Sequence, residues 1–195
     1  MDIKLGNGNV QNPQHKVGGT EVVRTPNIKL GAYEYGMRQA IAYMLTWTTY
    51  GSWLQGDERG YVKDGMILPA NAALNRANRA VMTTPEVTLT LRQQAIVKDA
   101  LRKEAAALGQ EVCAVAVRKN HVHLVVTTKG LDPCHAVSHY KNAARLAVQG
   151  DGFAGRLWTR GYSKRYCFDE QQLYAMIEYV NRHNTLKSPH VHRGG

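Results

Sequence analysis

The chain has 195 residues, 44% of them hydrophobic, with a formal net charge of +10 at pH 7 and a pI near 9.7. That is enough for one domain with a normal core and an extension, and the basic balance favours a polyanionic partner, nucleic acid above all. No run is long and apolar enough to span a membrane, the N-terminus lacks a signal-peptide layout, and Cys113, Cys134 and Cys167 form no CxxC, which suits reduced thiols in the cytoplasm rather than a disulfide frame or zinc knuckle.

Residues 1–38 are rich in Gly, Asn and Lys without a sustained period, and read as a flexible N-terminal extension. Residues 42–50, β-branched and aromatic, predict a first strand. Residues 51–60 are turn-rich loop, and residues 70–82 suit a short helix. Thr90 is a candidate N-cap for a clearer helix, with Leu91, Ala95, Ile96, Val97, Ala100, Leu101 and Ala105 at helical spacing and Gly109 ending it. Residues 112–118 predict a second strand, Lys119-Asn120 a tight connection, and residues 121–127 a third strand. Pro133 suits the first turn of a helix running to about Val148. A Gly-rich loop precedes a short strand over residues 163–168, and Asp169 caps a last helix from Glu170 to about His183. Residues 185–195 are a polar tail, leaving residues 39–184 as the domain.

The order strand, helix, strand, strand, helix, strand, helix predicts an α+β fold. Its first six elements match the ferredoxin-like split βαβ arrangement, an antiparallel sheet with helices packed on one face. The final helix then carries a tyrosine, Tyr179, into the neighbourhood of the sheet.

Within the third strand, His121 and His123 are two residues apart and point to one face, while Val122 points to the other. Two neighbouring imidazoles on a strand are either half of a divalent-metal site or two surface histidines. On the last helix Tyr179 and His183 share a face at i and i+4. A phenol beside a metal-bound phosphodiester is a nucleophilic arrangement. Taken alone, Tyr179 reads first as an aromatic packed beside Leu173, Met176, Ile177 and Val180.

Asn120-His121-Val122-His123-Leu124 resembles the HUH signature (His, hydrophobic, His) of single-tyrosine transposases, and Glu178-Tyr179-Val180-Asn181-Arg182-His183 resembles their tyrosine helix. Residues 45–54, the run Gly56-Asp57-Glu58-Arg59-Gly60, residues 157–163 and Arg165-Tyr166 are similar to segments of the REP-associated branch of that family. The resemblance spans residues 42–183 in order. It implies that His121 and His123 bind Mg²⁺ or Mn²⁺. It also implies that Tyr179 attacks single-stranded DNA at a hairpin or palindromic repeat, becoming linked to the 5′ phosphate and freeing a 3′ hydroxyl. His183 stands where the family usually has Gln; as a third ligand it would shift the site toward softer ions such as Mn²⁺, Co²⁺ or Zn²⁺.

Around this centre Lys119, Asn120, Lys141, Arg145, Arg160, Lys164 and Arg165 are expected on DNA. Trp47 and Trp53, like Trp158, are candidates for stacking on unpaired bases or for the core. His135 and His139, and the His190-Val191-His192 repeat in the tail, are weaker metal candidates. The expected protein is a prokaryotic, cytoplasmic, nucleoid-associated strand transferase, monomer or homodimer, acting on single-stranded or hairpin DNA and on no membrane. Two alternatives are a non-catalytic nucleic-acid-binding module of ferredoxin-like fold and a decayed transposase. The closely spaced strand aromatics of RNA-recognition domains are absent from the third strand, which favours the enzyme.

Overall fold

A computed structural model describes residues 39–63 and 66–185; the expected extension and the His190-Val191-His192 repeat lie outside them, as does the tail beyond Thr185. The elements run β1 (Ala42–Thr48), β2 (Tyr61–Lys63), β3 (Met66–Leu68), α1 (Ala72–Ala80), α2 (Leu91–Ala107), β4 (Val112–Val117), β5 (His121–Thr127), α3 (Pro133–Gly150), β6 (Ser163–Cys167) and α4 (Glu170–Thr185). Four strands form one antiparallel sheet in the order β4-β5-β1-β6. This is the ferredoxin-like order expected. The histidine strand β5 is interior. A two-stranded hairpin, β2–β3, stands apart from the sheet.

Local chemistry sets the element ends. The Thr90 side chain accepts the Gln93 N–H while the Gln93 side chain accepts the Thr90 N–H, a full capping box. Asp132 caps α3 just before Pro133. Asp169 accepts the Gln172 N–H at 2.8 Å and starts α4 as expected.

Both faces of the sheet are buried. Tyr43, Leu45, Trp47, Val115, Val117, Val122, Leu124 and Val126 pack under α2 and α3, with Leu101, Val137, Tyr140 and Val148 opposite them. Ala42, Met44, Ala116, Val125 and Cys167 face the other way and receive Leu173, Met176, Ile177 and Val180 of α4. The helices therefore do not all lie on one face. Helices α2 and α3 share one face, as the split βαβ pattern predicts, and α4 covers the other because β4 and β5 carry hydrophobic residues on both sides and a bare apolar face is costly in water.

Candidate active site

The second face of the sheet carries the polar cluster. Register places Ala116, His123, Thr46 and Ser163 side by side across β4, β5, β1 and β6. His121 pairs with Thr48 one step along, on the same face as His123. Helix α4 lies over this face, and its Leu173, Met176, Ile177 and Val180 stripe turns Tyr179 and His183 toward the imidazoles. The ring centroids of His123 and His183 are 4.5 Å apart, those of His121 and His123 5.0 Å, and those of Tyr179 and His123 5.4 Å. Tyr179 and His183 stand 4.6 Å apart along the helix.

One nitrogen of each imidazole is occupied by the protein. His121 Nδ1 donates to Asn120 Oδ1 at 2.8 Å, and His183 Nδ1 donates to the Tyr179 carbonyl at 2.9 Å. His123 Nδ1 shares a 2.8 Å hydrogen bond with Thr46 Oγ1. The Nε2 atoms are what remain for a common ligand. One candidate ligand atom from each of the three lies within 4.8 Å of the others. Metal–nitrogen bonds of about 2.1 Å would place such atoms about 3–3.5 Å apart. The donor set therefore fits a divalent ion, with oxygen partners on Nδ1 that fix ring orientation. Three imidazoles suit Mn²⁺ and softer ions better than Mg²⁺.

Burial, then His183, Arg118 and Arg59, lowers the pKa of His121 to about 4. Burial, then the two other histidines, lowers that of His123 to about 3. Both rings are neutral at neutral pH and keep the lone pair a metal needs.

The rival tyrosines are elsewhere. Tyr140 is fully buried under the opposite face, where its hydroxyl donates to Gln110 at 2.8 Å and burial raises its pKa. Tyr174 is exposed on α4, five residues before Tyr179 and so about 140° around the helix. His139 pairs with Glu104 at 3.2 Å, between α3 and α2.

The expected DNA contacts separate into groups. Asn120 turns inward to orient His121, and Lys119 is exposed beside it in the β4–β5 turn. Arg160, Lys164 and Arg165 are exposed on the loop before β6 and on β6 itself. Three of the expected contacts are engaged within the protein. Trp47 is 1% exposed, edge-on to Trp158 at a centroid distance of 6.0 Å, so its ring is core and offers no stacking surface. Lys141 donates to the carbonyls of Thr159, Arg160 and Gly161 at 2.8–3.1 Å; its ammonium straps a loop rather than awaiting a phosphate. Arg145 bonds Asn142 and Gln149 along α3, across the sheet from the imidazoles.

Trp53, by contrast, is 43% exposed. Its neighbour Arg59, absent from the expected contacts, is bound to Asp57 and to the loop that holds Asn120. The signal for it was the cation three residues after a glycine turn beside an exposed aromatic.

No protein-family model matches the chain. No curated protein sequence matches it either. Solved structures similar to it include the following two. One is a REP-associated tyrosine transposase bound to a REP hairpin, with TM-score 0.46 and 11% identity over 77% of this chain and 70% of that one. The other is a candidate transposase from Deinococcus radiodurans, with TM-score 0.40 and 19% identity over 80% of this chain and 98% of that one.

Proposed function

We propose that this chain is a metal-dependent single-stranded DNA endonuclease and strand transferase of the single-tyrosine HUH kind, acting at hairpin or palindromic repeat DNA. The observation that carries this reading is the convergence of His121, His123 and His183 with Tyr179 on one face of the sheet. Residues 39–184 are the catalytic unit in this reading, working on nucleoid DNA in the cytoplasm; among the described residues no helix could cross a membrane.

His121, His123 and His183 would hold the divalent ion, Mn²⁺ in preference to Mg²⁺ on the softness of the donors. When bound, the ion withdraws charge from the scissile phosphate. Tyr179 supplies the nucleophile. Its phenolic oxygen bonds to the phosphorus, the 3′ oxygen of the preceding nucleotide leaves with the electron pair, and the phenolic proton goes to solvent. The product is a 5′-phosphotyrosine with a free 3′ hydroxyl. The reverse attack by a hydroxyl reseals a strand without an external energy source. The neutral imidazoles raise no barrier of bound protons to metal entry.

The test is covalent capture. Single-stranded hairpin oligonucleotides with unpaired flanks, taken from inverted repeats beside the gene, are incubated with Mn²⁺ and resolved on denaturing gels. Wild type should form a protein–DNA adduct, and Tyr179→Phe should form none while binding the hairpin almost as tightly, since only one hydroxyl is lost. An adduct that survives in Tyr179→Phe and vanishes in Tyr174→Phe would identify the wrong tyrosine here. Hairpin binding with no adduct under any divalent ion would favour a non-cutting module.

A further inference from the structure

The loop after β1 is built around the residue that orients His121. The Thr49 N–H donates to the Asn120 carbonyl at 2.9 Å, and the Ser52 and Thr49 hydroxyls reach the same oxygen at 3.2 and 3.3 Å. Arg59 then closes the loop. Its Nε and Nη2 grip both carboxylate oxygens of Asp57 at 2.6 and 2.9 Å, and Nη2 also donates to the Ser52 carbonyl at 3.0 Å. Asp57 is buried, and the Arg59 contacts hold its carboxyl below the usual carboxylate range. With one side of the fork spent on Asp57, Nη1 lies on the other.

Trp53 is fixed in the same loop. Its indole N–H donates to the Gly60 carbonyl at 2.8 Å, and the Arg59 guanidinium stands 5.7 Å from its ring centroid. Gly56, with φ +86°, completes the turn; a Cβ there would collide with the Asn71 carbonyl and the Asn75 nitrogen at the start of α1. An exposed indole would ordinarily swing through several rotamers. This one is held by its N–H, next to an oriented cation, in a loop bonded to the neighbour of His121.

We propose that Trp53 and Arg59 form a step for one unpaired nucleotide beside the imidazole cluster, the base stacking on the indole and its phosphate facing the guanidinium. Stacking takes any base, since every base has a π face, and the Nη1 N–H groups, which Asp57 and Ser52 do not use, can donate to a phosphate oxygen. Duplex DNA cannot use the step, because its bases are already stacked. The Asp57 clamp holds the cation in place before the nucleotide arrives, which lowers the ordering cost of binding. The inference rests on single-stranded DNA as the partner but not on cleavage.

Equilibrium binding in excess chelator therefore tests it apart from the chemistry. A fluorescein-labelled, unstructured 20-mer of thymidine and the matching duplex are titrated against wild type, Trp53→Ala, Trp53→Phe and Arg59→Gln. Trp53→Ala should weaken single-strand binding about tenfold and leave duplex binding unchanged, and Trp53→Phe should recover most of the loss. Arg59→Gln should weaken binding and lower the slope of log affinity against log salt by about one. Wild-type protein crosslinked to a strand bearing 5-iododeoxyuridine should carry the label on the peptide containing Trp53, a readout that needs no variant to fold. Equal loss on single strand and duplex, or crosslinks that avoid Trp53, would overturn the step while leaving the nuclease reading intact. A wild type that binds no single strand would overturn both, whereas binding that depends on Trp53 without any adduct would retain the step and discard the nuclease.

Discussion

Thr46 and Asn120 show how much of a candidate metal site lies outside its ligands. Each occupies the Nδ1 of one imidazole, so each fixes which nitrogen is free. Manganese titration followed by calorimetry should find His123→Ala at least about a hundredfold weaker than wild type and Thr46→Val about tenfold weaker. Equal affinity in Thr46→Val would mean the ring is held by packing alone. The same histidines tie stability to pH. Their folded pKa values, about 4 and 3, lie below the ordinary 6.5. Between those limits the unfolded chain takes up protons that the folded chain refuses, so this contribution is intact above pH 6.5 and is lost as pH falls toward 4. The metal-free wild type should lose melting temperature on going from pH 7 to pH 4.5, and a His121→Gln, His123→Gln double variant should lose less. Parallel curves for the two proteins would contradict the linkage.

At the level of elements, most of the fold was legible because the determinants are local. Thr90 with Gln93, Asp132 with Pro133 and Asp169 mark helix starts by side-chain chemistry alone, and β5 begins at His121 as read. That α4 lies by the sheet is expected from the sequence, and the face it covers has a clue in the strands. Val112 to Val117 and Val122 to Val126 are nearly continuous apolar runs without alternation, the pattern of strands covered on both sides. The β2–β3 hairpin was missed despite Asp64-Gly65 between two short apolar stretches, a strong turn signal. For Trp47 the choice between core and stacking stays open in the sequence, because an indole in a strand gives no sign of its face until the register with Leu45 and Tyr43 is known. The residues that meet at the site were all readable, but their meeting depends on a helix crossing the far face, which no local rule supplies. Asn184 pins the end of that helix, donating to the Val115 carbonyl on the sheet edge at 3.2 Å. One such bond contributes ~1 kcal/mol. Asn184→Ala should therefore speed amide exchange in the last two turns of α4 about fivefold while leaving β5 unchanged. Unchanged exchange at the helix end would show that packing alone holds it.

For the whole molecule, the charge of +10 has a reading in solution behaviour. Arg160, Lys164 and Arg165 are exposed on and before β6, and Lys119 in the β4–β5 turn. If about five phosphates are met, affinity for single-stranded DNA should fall about a hundredfold between 50 and 200 mM salt. Fluorescence anisotropy at four salt concentrations measures the slope, and a flat response would remove the electrostatic account of binding.

The order in which the site is assembled from the chain has a consequence for the cell. His123 and His183 are 60 residues apart, with Tyr179 and His183 both on the last described helix. At about 5–20 residues per second, a ribosome takes about 3–12 s to travel between them. Through most of that interval the emerging polypeptide holds two of the three clustered imidazoles and lacks Tyr179. On the proposed chemistry, a half-made protein can neither seat its ion fully nor break a strand. A strand-breaking centre of the proposed kind therefore stays incomplete until α4 has been made.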